Sequence, residues 1–411
     1  MSSKTGKFLL PAILAGVVLG IVSGTVFPEF SVSVGFVGDL FLDLLKMMVI
    51  PLVVVSITLG VMKLRDFKAV GAKTLLYYMI TTAISVSIGI AVVSLLHPGD
   101  PGTLGTMTEE MKSQAALQVE GKSAGPEEIL QSMVTPNIFK SAAEFQILPL
   151  IVFSLLFGLA LARMGERASQ PIESLLVSLD GAIMKLVHWI INLTPAGVAC
   201  IIAARIGEAG GGDALFAMAA GIGKYMLAVI AGLGIHGLVV LPLALIVFAR
   251  RNPVHYLRHM SKALLTAFST ASSSATLPLT MTSAVEDAKV SPRVGNFVLP
   301  LGATVNMDGT ALYEAVAVIF IAQVYAVPLD PSQLVIIFLT ATLAAIGAAG
   351  IPEAGLVTMV IVLSSVGLPL EGIGLLLSVD WLLDRFRTTV NVWGDSVGAA
   401  VIDRTTVSQS M

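Results

Sequence analysis

The sequence predicts an all-α integral membrane protein, and three observations carry that prediction. Hydrophobic residues fill 55% of the 411 positions and charged residues only 12%, about half the share a soluble domain carries. Apolar runs of bilayer-crossing length, about 20 residues each, recur along the first part of the chain. Basic residues collect in every second connection between those runs. A soluble chain of this composition could not cover its surface, so the bilayer is its solvent.

The elements follow in order. Met1 to Phe8 is short and basic, and the apolar run behind it exceeds a signal-peptide core, so it reads as the first transmembrane helix. Apolar segments near 8–27, 36–62, 75–96, 147–162, 182–204 and 214–249 are each long enough to span. Lys4 and Lys7 precede the first, and Lys63, Arg65, Lys68 and Lys73 follow the second. Arg163 and Arg167 follow the fourth; Arg250, Arg251, Arg258 and Lys262 follow the sixth. The polar loop after the third run carries Asp100, Glu109, Glu110, Glu120, Glu127 and Glu128 against Lys112 and Lys122. By the positive-inside rule the N-terminus and every even-numbered exit face the cytoplasm.

After residue 260 the apolar stretches shorten and are broken by FSTASSSATLP at 268–278, NMDGT at 306–310 and GAAGIPEAG at 347–355. The stretch 263–285 has Lys262 before it and Lys289 and Arg293 after it, which suits a re-entrant hairpin from the cytoplasm better than a crossing. The stretch 332–366, flanked by Asp330 and Glu371, reads as a second hairpin entering from outside. Broken backbone at membrane depth is tolerated only where protein buries it or where it lines a cavity, and opposed broken segments point to a midplane site in a secondary transporter. Taken singly, each cluster would read as an ordinary loop.

The last span, about 374–401, carries the chemistry. At 100° per residue Asp380, Asp384, Arg387, Thr388, Asn391 and Asp395 share one narrow face, and Arg385 lies off it. An ionisable group at the bilayer centre costs at least about 2.5–3.5 kcal/mol on insertion scales, so such a stripe must face a cavity and bind something. A salt-bridge network would account for one Asp–Arg pair and leave the other carboxylates and Asn391 unexplained. Arg387 offers a planar fork for a carboxylate, Asp384 can hold an ammonium group and Asn391 can donate to a second carboxylate. That set matches a zwitterion with an acidic side chain.

In NMDGT, Asn306 and Asp308 would point nearly opposite ways on an unbroken helix. Either they serve two sites, or Gly309 marks an unwound segment whose freed carbonyls suit a hard monovalent cation. The single cysteine, Cys200, excludes an intramolecular disulfide and a cysteine metal cage, and none of the five histidines forms a ligand-spaced pair near carboxylates. Mid-span His188 reads as a satisfied core histidine. The net charge of -3, with basic residues in short clusters, gives no nucleic-acid signal.

SSSATLP at 272–278, NMDGT at 306–310, GIPEAG at 350–355 and DRFRTTVNVWGDS at 384–396 closely resemble the dicarboxylate/amino acid:cation symporters, which include the excitatory amino acid transporters of animals. The resemblance runs from the first span to about Ile402. It implies eight membrane helices plus two opposed re-entrant hairpins, a homotrimer, and a transport domain that slides against a scaffold in an elevator-type cycle. Residues 1–74 would be scaffold, and 75–128 the third helix, in the transport domain, with the extracellular loop. Residues 129–210 would be scaffold and trimer contact, and 211–411 the transport core. The expected location is the plasma (inner) membrane with both termini cytoplasmic.

Carried over by position, substrate would touch Ser272 and Ser273 at the first hairpin tip, Thr310, and Ile351 and Gly355 of the second hairpin. Asp384 would take the amino group, Arg387 the side-chain carboxylate, and Thr388 and Asn391 the remainder. One sodium ion would use carbonyls of Gly302, Asn306 and Asn391 with the Asp395 carboxylate; a second, Tyr78, Thr81, Thr82, Asn306 and Asp308; a third, Thr304 with carbonyls of Ala345, Ile346 and Ala348. Ala271 stands where some prokaryotic members carry an arginine, and Arg385 matches the animal branch instead. Glu314 likewise matches the animal-branch glutamate of proton coupling. Together these imply proton co-transport and potassium counter-transport beside sodium, with L-glutamate or L-aspartate as substrate. Glu353 departs from the Gln or Gly common in relatives.

Three other readings compete. A sodium-only symporter of acidic amino acids or C4-dicarboxylates shares the residues. An anion-conducting, ligand-gated channel would need weak multi-site binding along an open path, whereas a tight Asp/Arg/Asn pocket suits occlusion. An intramembrane hydrolase using one of Ser272 to Ser274 lacks a histidine or lysine base beside it in sequence.

Overall fold

The computed structural model describes residues 5–62, 68–99, 133–208, 212–347 and 354–407, with Glu127 and Gln131. Every regular element among them is helical. Five segments are long and apolar enough to cross a membrane: Pro28–Met62, Gly71–Leu96, Arg167–Ile191, Ala219–Ala249 and Pro292–Val324. Shorter apolar helices are Pro11–Val26, Ile147–Arg163, Pro331–Ile346 and Gly355–Val366.

The first group of helices comprises α1 (Thr5–Val26), α2 (Pro28–Ser33) and α3 (Gly35–Met62), with α5 (Ile138–Ala143), α6 (Ile147–Arg163), α7 (Glu166–Ile191) and α8 (Thr194–Glu208). α1 and α2 lie along α8, and α3 packs on α6, α7 and α8. At three glycines α1 lies directly on α8 backbone. A Cβ added to Gly20 would stand 2.7 Å from Ala199 O, and one on Gly24 2.7 Å from Ala203 O, while Gly16 faces Pro195 O in the same way. Three glycines four residues apart make one stripe, the small-residue packing typical of helices in lipid.

The run 182–204 is not one helix. It breaks at Asn192 and Leu193, where α7 ends and α8 begins. Pro195 has no N–H to bond the carbonyl four residues back, and proline disfavours helical backbone just before it. His188 sits near the end of α7 and is exposed; Nδ1 is 2.6 Å from Met184 O, so it is satisfied but not in a core.

The second group is built around α4 (Lys68–Leu96), α9 (Gly212–Ile235) and α10 (Pro253–Thr270), followed by α11 (Ser273–Thr282), α12 (Pro292–Val305), α13 (Asp308–Val324), α14 (Pro331–Gly347), α15 (Ala354–Val366) and α16 (Ile373–Val407). α13 is buried on all sides and packs on α4, α9, α14, α15 and α16. α9 continues without a break through a π turn at His236–Val240, one α turn at Leu241–Ala244 and a second π turn at Leu245–Ala249. The two groups meet where α3 faces α14 and α15 and where α8 faces α16.

Two local breaks position the site. α10 stops at Ala271, which adopts left-handed backbone (φ 50°), and Ser272 N-caps α11 by accepting from Ala275 N at 3.1 Å. The two helices pack on each other across this turn. α12 stops at Asn306 (φ -99°, ψ 86°) and α13 restarts at Asp308 after Met307 (φ -113°, ψ 51°). The unwound pair is therefore Asn306–Met307, and Gly309 lies inside the first turn of α13. Asp308 at that start places a carboxylate where the helix dipole favours it.

Candidate functional site

On α16, Asp380, Asp384, Arg387, Thr388, Asn391 and Asp395 are all buried, and Arg387 is fully so. Arg387 Nη2 donates to Asp384 Oδ1 at 2.8 Å, and Nη1 lies 3.0 Å from Asp380 Oδ1. The ring of Tyr313 stacks 3.9 Å from the guanidinium carbon. Two carboxylates and an aromatic face thus hold one cation flat, as a planar guanidinium prefers. Arg387 Nε and Nη1 have no hydrogen-bond acceptor among the described residues, although Nη1 keeps its ion pair with Asp380. They are donors suited to a further carboxylate.

The start of α15 closes on this guanidinium. A Cβ on Gly355 would stand 2.7 Å from Arg387 Nη1. Arg387 is clamped and cannot swing aside, so Gly355→Ala is expected to weaken binding of an acidic amino acid about tenfold, or about 1.4 kcal/mol. Calorimetric titration of the purified variant checks this, and an unchanged affinity would separate Gly355 from the site.

Asn391 bridges to the start of α13. Its Oδ1 accepts from Gly309 N at 2.7 Å, and its Nδ2 donates to Thr310 Oγ1 at 3.2 Å. Thr310 and Asn391 therefore meet at the start of α13, with Thr388 and Asp384 one and two turns earlier on α16, all buried. Ser272 and Ser273 are buried at the α10–α11 turn, and α11 packs on α16. Ile351 lies outside the described residues, as does Glu353.

Below this level is a cluster of oxygens. Asp308 Oδ1 accepts from Thr82 Oγ1 at 2.6 Å and Thr81 Oγ1 at 3.4 Å, and Asp308 O accepts from Ser85 Oγ at 2.9 Å. Asn306 Nδ2 donates to Asp395 Oδ1 at 2.9 Å, which leaves Asn306 Oδ1 buried with no partner among the described residues. Asp395 Oδ1 and Tyr78 Oη press against the Gly302 backbone, and Tyr78 donates to Val298 O at 2.9 Å. Two carboxylates, an orphan amide oxygen and hydroxyls are the hard donors that sodium takes. The Asn306–Met307 break also releases carbonyls from the helical ladder.

Thr304 donates to Leu301 O at 3.0 Å near the end of α12, which packs on α14, whose last turn holds Ala345 and Ile346. Ala348 lies outside the described residues.

Glu314 is fully buried on α13, and neither carboxyl oxygen has a donor among the described residues. Thr358 of α15 is a polar neighbour, its hydroxyl bonded to Gly355 O. Arg385 points elsewhere. Its Nη1 donates to Phe268 O at 2.9 Å and Ser269 O at 2.8 Å, the last carbonyls of α10. A cation there satisfies a helix C-terminus and ties α16 to the turn at Ala271.

Three residues of this constellation escaped the sequence reading of the site. Asp380 lay in the polar stripe but had no role assigned. Tyr313 directly precedes Glu314, and only the guanidinium over its ring reveals it. His236, a histidine in an apolar run, meets Asp308 only in three dimensions.

The model of the family described as "Sodium:dicarboxylate symporter family" matches residues 9–405. The chain is 39% identical to excitatory amino acid transporter 2 of Mus musculus, over 98% of this chain and 80% of the relative. It is 38% identical to an excitatory amino acid transporter of Caenorhabditis elegans, over 96% and 87%. Excitatory amino acid transporter 3 of Oryctolagus cuniculus is 38% identical over 97% and 85%.

Proposed function

The chain belongs to the sodium:dicarboxylate symporter family, and we propose that it draws an acidic amino acid, L-glutamate or L-aspartate, into the cell on inward sodium flow. As a family member it is a sodium-coupled membrane transporter and not an enzyme. The substrate class rests on one observation: Arg387, buried between Asp380 and Asp384, keeps donors facing Gly355. In this reading Arg387 binds the side-chain carboxylate and Asp384 the amino group. Thr310, Thr388 and Asn391 bind the remainder, and Ser272, Ser273, Ile351 and Gly355 cover it. The names of the relatives support the same substrates.

Sodium would bind at Asp395 with Gly302, Asn306 and Asn391, at Asp308 with Tyr78, Thr81, Thr82 and Asn306, and at Thr304 with Ala345, Ile346 and Ala348. Coupled proton and potassium movement would run through Glu314, with Arg385 adjusting the balance from the neighbouring face of α16. The packing of the helices into two groups supports an elevator cycle in which 75–128 and 211–411 move against 1–74 and 129–210. The α10–α11 and α14–α15 pairs would be re-entrant hairpins among eight crossing helices, in a homotrimer of the plasma (inner) membrane with cytoplasmic termini.

The test is uptake into proteoliposomes with the sodium, proton and potassium gradients imposed one at a time. Uptake of aspartate or glutamate against its gradient, driven by sodium, is expected; ligand-gated anion current without accumulation would favour the channel. Asp395→Asn is expected to raise the sodium requirement about tenfold or more, since a charged ligand becomes a neutral one, with substrate affinity recovering at high sodium. Loss of substrate binding that no sodium concentration rescues would remove Asp395 from the ion site.

A further inference from the structure

α9 crosses behind the ion cluster, and His236 opens its first π turn. The side chain is fully buried. Its Nε2 lies 3.0 Å from Asp308 Oδ2, the carboxylate oxygen that Thr81 and Thr82 do not engage. Nδ1 has no partner among the described residues, so the ring's polar contact is with Asp308. The next residue is pinned as well: Trp393 Nε1 donates to Gly237 O at 3.0 Å, which ties the π turn to α16. A Cβ on neighbouring Gly394 would stand 3.3 Å from Asp308 Oδ2, so α16 closes that side.

We infer that His236 is a positioning residue for cation binding: its Nε2–H holds the Asp308 carboxylate in the orientation that presents it to sodium. The inference rests on the reading of Asp308 as a sodium ligand. A carboxylate that binds a cation has two oxygens and several lone pairs to offer, and free rotation would spread them over many directions. Here hydroxyls of α4 hold one oxygen and the imidazole of α9 holds the other. Partners of this outer kind commonly change metal affinity by about 10–100-fold when removed. His236 belongs to the ion site through Asp308, with no part in recognising the amino acid.

The experiment follows thermal stability of purified full-length protein during sodium chloride titration, with choline chloride holding ionic strength constant. Aspartate affinity at saturating sodium is measured by calorimetry. His236→Leu removes the donor, and His236→Gln keeps an amide N–H at similar reach. We expect the sodium concentration for half-saturation to rise about tenfold in His236→Leu and to stay within about threefold of the parent in His236→Gln. Aspartate affinity at saturating sodium stays within about threefold in both. Should His236→Leu not fold, His236→Asn, whose amide stops short of Asp308, takes its place with the same expectation. An unchanged half-saturation in the donor-free variant overturns the inference, as does an equal shift in His236→Gln. Asp308→Asn separates the two levels. If it shifts the sodium response while His236→Leu does not, only the positioning role fails; if it does not, the sodium assignment of Asp308 fails with it.

Discussion

Arg387→Cys is expected to abolish selective uptake of glutamate and aspartate and to admit small neutral amino acids such as serine. A carboxylate in the pocket then meets no fork, while Asp384 remains to hold the amino group. Breaking a buried, hydrogen-bonded charge pair costs about 2–5 kcal/mol, so acidic substrates should lose at least about 30-fold in affinity. The change also leaves Asp380 and Asp384 without the cation that both face, a penalty of about 3–5 kcal/mol when charges stay buried. Stability should therefore fall, and Asp380→Asn in the same chain should restore part of it by removing one uncompensated charge. Competition of serine and aspartate for binding, measured beside the melting temperature, checks both. A variant that still prefers aspartate over serine would remove Arg387 from the role of carboxylate receptor.

Glu314→Gln is expected to split exchange from net transport. Glu314 is buried, without a donor to its oxygens among the described residues, one residue from the tyrosine that stacks on Arg387. If it loads a proton with substrate and releases it inside, an amide mimics the loaded form permanently. Exchange of external for internal substrate then persists, while the pH dependence of net uptake and its stimulation by internal potassium disappear. Paired exchange and net-uptake assays in liposomes, from weakly acidic to weakly alkaline buffer with and without internal potassium, read the difference. Potassium stimulation equal to the parent's would reduce Glu314 to a buried structural acid and leave a simpler sodium symporter.

The helical, membrane character of the chain was legible because composition and run length report the solvent directly. The polar face of α16 was legible for a related reason: charged groups at helical spacing within an apolar span have no ordinary place to go. Breaks were harder. A run of apolar residues gives a length, and hydropathy does not register the missing N–H of Pro195 that parts α7 from α8. In NMDGT the glycine drew attention to residue 309, whereas the chain unwinds at Asn306 and Met307, three and two residues earlier, where Asn306 turns its amide to Asp395. Asp380, Tyr313 and His236 escaped for a third reason. Each matters through a partner distant in sequence or through a ring face, and one-dimensional spacing carries neither. The Arg385 guanidinium donates to carbonyls near the end of α10, partners more than a hundred residues away that its place off the polar stripe does not indicate.

The glycine stripe of α1 bears on how such a molecule can move. Gly16, Gly20 and Gly24 lie on the carbonyls of Pro195, Ala199 and Ala203, with Ile202 and Ile206 of α8 against Gly20 and Gly24, so the two helices meet with no side chain of α1 between them at these points. A side chain on any of the three would collide, since even a Cβ there would come within 2.7 Å of an α8 carbonyl oxygen. The α1–α8 seam is thus a weld, locked in register like two gear racks pressed tooth to root. In the elevator cycle proposed above, sliding would run along another seam, and α3 against α14 and α15 is where the two groups of helices meet.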